Sequence, residues 1–159
     1  MGYGRRVDEA ALAAYGRSIA QLARVVEASL GGLTLSAYRI LSLVAEGNER
    51  SSQIAGRLAL ARPTISNAVD QLVERGLLQR GTNPDDRRAV VLTVTEEGRA
   101  AIAEADAAIA ERLRPAFDRL DDPATVLRAM EQITAAVAEV RAERIKEAAA
   151  ARRAASTSE

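Results

Sequence analysis

ARPTISNAVDQLVERGLLQRGTNPDDRRAVVLTVTEEG, residues 61–98, decides the fold of this chain. Its first half has the period of a helix. Ile65, Val69, Leu72 and Val73 recur three and four residues apart, Pro63 suits a first turn because an N–H there has no partner, and Gly76 supplies the stop. The opposite face presents Arg62, Thr64, Ser66, Asn67 and Asp70, which gathers hydrogen-bonding groups on one side. The pattern then changes. Residues 77–80 and 89–95 are short β-prone runs, and the intervening GTNPDDRR contains Gly81, Asn83 and Pro84, residues that build turns. A β-hairpin with a charged tip is expected. Thr95, followed by Glu96 and Glu97, predicts the next helix, with a capping hydroxyl and acids where the helix dipole favours them.

Working outward, Ser51 or Ser52 can cap a short helix holding Ile54, Ala55 and Leu58, and the turn from Leu60 to Arg62 joins it to the helix just described. That is a helix-turn-helix. Before it, Thr34 caps a predicted helix reaching about Glu46 with Leu35, Tyr38, Leu41 and Val44 inward, closed by Gly47 and Asn48. Still earlier, Leu12, Tyr15, Ile19, Leu22 and Val26 form an amphipathic stripe over residues 8–30, ended by Gly31 and Gly32. Downstream of the hairpin, Ile102, Ala105, Ile109 and Leu113 line one side of a helix that Pro115 is expected to bend or break. Asp122 caps a last helix in which Val126, Met130, Ile133, Val137 and Val140 repeat at spacings of four and three. Past Glu147 the stripe is lost, and residues 151–159 are expected to be a disordered tail.

Composition narrows the chemistry. The chain of 159 residues fits one domain of ordinary size and contains neither cysteine nor histidine. That excludes disulfides, thiol redox switching, the usual zinc sites and any mechanism resting on a Cys nucleophile or a His base. There is no Gly-rich phosphate loop, and no metal or cofactor is expected. No segment has the length and apolarity of a membrane span, and the first residues lack the apolar stretch of a signal peptide, so a cytoplasmic location is expected. The net charge is zero, but it is unevenly distributed: residues 50–88 carry seven arginines against four acids, whereas residues 89–159 carry ten bases against thirteen acids. The basic surplus coincides with the helix-turn-helix and hairpin, and it is entirely arginine, suited to bidentate contacts with phosphate and guanine.

Residues 61–98 closely resemble the core signature of MarR transcription regulators: a recognition helix ending in a Leu-x-x-x-Gly turn, a strand, an Asp-x-Arg wing, and Val-Thr-x-x-Gly leading into the next helix. LTLSAYRILSLV and SSQIAGRLAL resemble the family's second and third helices, and the likeness spans about residues 7–147. The resemblance implies a mainly α fold with a small β-hairpin wing. A winged helix-turn-helix lobe at 34–98 would be followed by a connecting helix at 99–114, and residues 1–33 and 115–150 would form a helical dimerisation region. The implied partner is double-stranded DNA with a palindromic operator, bound by a homodimer. Thr64, Ser66 and Asn67 could then reach base edges in the major groove, with Arg62 on a phosphate or guanine and Pro63 at the helix start. Arg88 would enter the minor groove from the wing tip, oriented by Asp86 and supported by Arg87, while Ser52 and Gln53 would contact phosphate. The resemblance also implies release by a small aromatic or anionic effector in a crevice near Tyr15, Tyr38 and Arg39. The residues alone leave two other readings open: a winged-helix module that binds protein, and an enzyme.

Overall fold

The computed structural model describes residues 8–47, 51–58, 61–82 and 90–156; the side chains of residues 51–53, 62, 149 and 152–156 are not described. In chain order the elements are α1 (Glu9–Glu27), α2 (Leu35–Ala45), α3 (Ser51–Leu58), α4 (Arg62–Glu74), β1 (Leu78–Thr82), β2 (Val90–Val94), α5 (Glu96–Phe117) and α6 (Pro123–Ser156). This is the mainly helical fold with a hairpin wing that the sequence predicts. The caps expected at Thr34, Thr95 and Asp122 are in place, and Asp8 caps α1 as well. The side chain of Asp8 accepts from Ala10 N, that of Thr34 from Ala37 N at 3.1 Å, and that of Thr95 from Gly98 N at 3.0 Å. Asp122 accepts from Thr125 N at 3.0 Å, so it caps α6 as expected.

One core serves α2, α3, α4 and the root of the hairpin. Ile40, Leu41, Ile54, Ile65, Val69, Leu72, Leu78 and Leu92 are all fully enclosed in it. The strands pair antiparallel with Leu78 opposite Val94 and Arg80 opposite Leu92. In β2 the inward positions Leu92 and Val94 are buried, but Val90, on the same face further out, is exposed. The hairpin is therefore rooted in the core at one end and stands clear of it at the other.

Three sequence expectations are corrected. Ala37 and Ile40 join Leu41 and Val44 as the buried face of α2, while Leu35 and Tyr38 are only half-buried. The Tyr38 edge of α2 is turned toward α5, where its hydroxyl finds a partner. Pro115 does not break α5, which continues to Phe117. A proline in the last turn removes one hydrogen bond and leaves the preceding turns intact. Finally, α6 extends to Ser156, well into the segment expected to be disordered, because an alanine-rich run has high helix propensity even without an apolar stripe.

The stripes on α1 and α6 remain uncovered in the single chain. Among the described residues, every exposed large apolar side chain except Val90 and Leu120 lies on one of these two helices. They include Leu12, Ile19 and Leu22 on α1, and Met130, Ile133 and Val137 on α6. No described helix is long and apolar enough to cross a membrane.

Candidate functional site

Two surfaces carry the candidate functional residues. The first is the outer face of α4. Burial of Ile65, Val69 and Leu72 turns Pro63, Thr64, Ser66 and Asn67 to solvent, with Arg62 at the start of the same helix. Asp70, which sequence reasoning groups with this face, forms an ion pair with Arg80 on β1. Both members are about half-exposed, so the pair is worth little as stability, but it joins α4 to the hairpin and neutralises an acid on the reading face. Asp86, Arg87 and Arg88 lie outside the described residues, as do the side chains of Ser52, Gln53 and Arg62.

The second surface is a cleft of about 690 Å³ between α1, α2, α3 and α6. Tyr15, Tyr38 and Arg39, singled out from the sequence, all line it. Ile19, Met130, Ile133 and Val137 supply apolar walls. Three arginines, Arg39, Arg57 and Arg141, line the cleft with a single acidic residue, Glu46, which lies 3.5 Å from Arg57. The balance favours an anion attached to an apolar or aromatic body. The Tyr38 hydroxyl donates to Asp106 on α5, and Ser42 Oγ donates to Tyr38 O at 2.9 Å. Burial, reinforced by the Asp106 carboxylate, pushes the Tyr38 phenol up to about 12. It therefore remains a neutral donor at physiological pH.

Comparison with known proteins places this geometry. A protein of Thauera aromatica named for transcriptional regulation of the hcr operon is 33% identical over 103 residues, which are 64% of this chain and 61% of that protein. The chain thus spans less than two thirds of that relative's length. CouR of Rhodococcus jostii RHA1, crystallised with p-coumaroyl-CoA, is 30% identical; it has a TM-score of 0.66 and covers 77% of this chain and 87% of its own. A MarR-family transcriptional regulator of Rhodococcus sp. RHA1 is 26% identical with a TM-score of 0.69, covering 85% of this chain and 98% of its own. Residues 31–89 match the MarR family profile.

The chain belongs to the MarR family of transcription regulators.

The MarR signature has a physical basis here. Thr95 Oγ1 donates to Gly76 O at 2.6 Å while accepting from Gly98 N, and Thr95 N donates to Leu77 O at 3.2 Å. This one residue ties the end of the recognition helix to the start of α5. Gly98 is buried in the same knot: a Cβ there would lie 2.2 Å from Leu77 O and 2.8 Å from Val94 Cγ1. Gly76 turns the chain with φ of 72°, a conformation glycine adopts without steric cost.

Sequence reasoning missed Asp106, Arg57 and Arg141. Asp106 is 68 residues from Tyr38, and Arg141 donates through Nη1 to Arg57 O, 84 residues away, at 2.6 Å. No local pattern encodes such pairs. Three arginines in one cleft would have been the useful signal, but only once the fold had brought α2, α3 and α6 together.

Proposed function

We propose that this MarR-family chain is a homodimeric, sequence-specific DNA-binding repressor, acting in the cytoplasm and released by an amphipathic anion. The observation that carries the reading is the α4 face: Thr64, Ser66 and Asn67 stand exposed on a helix whose other side is fixed in the core. A helix of this kind fits the major groove, and short polar side chains reach base edges there. Arg62 and Pro63 sit at its start, where phosphate contact is expected, and Ser52 and Gln53 occupy the first turn of the supporting helix α3.

The uncovered stripes of α1 and α6 support the dimer, since apolar faces this extensive are stable in water when another copy covers them. Twofold symmetry places two recognition helices about 34–36 Å apart and calls for a palindromic operator. Arg88, in the segment joining β1 and β2, is assigned to the minor groove, with Asp86 and Arg87 supporting it.

The effector is assigned to the cleft bearing Tyr15, Tyr38 and Arg39. The ligand of CouR, p-coumaroyl-CoA, joins an aromatic acyl group to anionic phosphates and has the same chemical character as this cleft. An effector acts only by binding the DNA-incompetent arrangement more tightly than the competent one.

The test is operator binding at fixed salt by the intact dimer and by Arg88→Ala. The expected result is a loss of at least about tenfold in the variant with the dimer retained. Unchanged affinity would remove Arg88 from the interface, and binding without salt dependence would argue against a phosphate-gripping surface altogether.

A further inference from the structure

Arg141 stands where α6, α3 and the cleft meet. The last four carbonyls of an α-helix have no partner within it. Since α3 ends at Leu58, Arg57 O is one of these carbonyls, and Arg141 Nη1 donates to it at 2.6 Å. A cation there also suits the negative end of the helix dipole. One turn further along α6, Ile145 Cδ1 lies 4.0 Å from where a Cβ on Gly56 would sit, so the two helices are close-packed at this point.

The same guanidinium lines the cleft. Of the other two arginines there, Arg57 is paired with Glu46, and Arg39 is exposed. Arg141 is only half-exposed and, among the described residues, is held by a neutral carbonyl alone. An anion is a stronger partner than a carbonyl for a guanidinium, and a bidentate anion takes two of its N–H groups at once. Meanwhile α3 packs directly beneath α4 through Ile54, Ala55 and Leu58, all buried in the common core. Whatever loosens the end of α3 therefore reaches the recognition helix.

We propose that Arg141 is the positioning residue that couples the cleft to the DNA-reading lobe: it holds the C-terminal end of α3 when the cleft is empty and leaves that carbonyl for the anion when the cleft is filled. The inference rests on the effector assignment of the cleft made above. It identifies a specific connection between α6, which carries the apolar dimer stripe, and the helix that supports α4.

The experiment is amide hydrogen exchange over α3 in the full-length dimer, with and without anilinonaphthalenesulfonate as an aromatic anion whose binding is read by its own fluorescence. In the wild type, bound probe is expected to speed α3 exchange about tenfold, the scale of one lost charge-assisted hydrogen bond. Arg141→Met keeps the apolar stem but not the guanidinium; it is expected to exchange about tenfold faster without probe, and probe should then add nothing. Arg141→Lys, which keeps a cationic donor, should recover part of the protection and shows that loss of packing is not the cause. Probe that binds the wild type and leaves α3 exchange unchanged or slower overturns the coupling, as does wild-type protection in Arg141→Met. A wild type that binds no probe overturns the cleft assignment itself, and the coupling with it, so the two failures are distinguishable.

Discussion

Gly98 shows how much of this fold turns on single atoms. Its missing side chain lets α5 start against the carbonyl of Leu77, and a methyl group there would collide with backbone, which cannot move aside as a flexible side chain could. Gly98→Ala is therefore expected to destabilise the protein by about 1–3 kcal/mol, toward the upper end of the usual overpacking cost. The urea midpoint reports it, and an unchanged midpoint would show that α5 can start differently. Tyr38 offers a second residue-scale test. Its folded-state pKa is raised, first by burial and then by Asp106, so the folded protein keeps the phenolic proton more tightly than the unfolded chain does. The associated stability is fully present below pH of about 10 and is lost as pH rises toward about 12. Comparing stability against pH for the wild type and Tyr38→Phe isolates this contribution; parallel curves would mean that the Tyr38–Asp106 bond does not bias folding.

At the scale of elements, much was legible from local chemistry. Thr34, Thr95 and Asp122 mark three helix starts because a short side-chain oxygen before an apolar period satisfies a free N–H, and each of these caps forms. The glycine stops at Gly31, Gly47 and Gly76 all have positive φ. The reading face of α4 followed from the burial of its opposite face. What periodicity could not supply was the exact inward side of α2, because that helix is contacted on more than one side, by the core and by α5. Nor could it show how close Pro115 lies to a helix end. A mid-helix proline costs about 3 kcal/mol, whereas Pro115 occupies the last turn of α5. Pro115→Ala is accordingly expected to shift stability by less than about 1 kcal/mol, measured by the same denaturation; a gain near the full mid-helix cost would mean that the proline strains α5.

At the scale of the whole molecule, the core and the stripes have different roles. The core closes over α2, α3, α4 and the hairpin within one chain, while α1 and α6 leave their apolar residues exposed in the single chain, as the face that the proposed dimer would cover. A carboxylate in that seam has no partner and is costly to desolvate. Leu12→Glu, in the α1 stripe and outside the arginine-lined cleft, is therefore expected to yield monomers by sedimentation equilibrium while keeping the helical signal of the lobe. A dimer of unaltered strength would place the interface elsewhere. A monomer presents one half-site reader in place of two, so the same variant is expected to lose most of its operator affinity.

The most direct test of the reading is an anisotropy titration at fixed salt, using a palindromic operator selected from genomic fragments and a scrambled duplex of equal length. The wild type is expected to prefer the operator by about 1,000-fold or more. Asn67→Ala should lose about tenfold or more on the operator, the scale of one base contact, while binding the scrambled duplex as before. Equal affinity of the wild type for the two duplexes would contradict a sequence-reading role for α4.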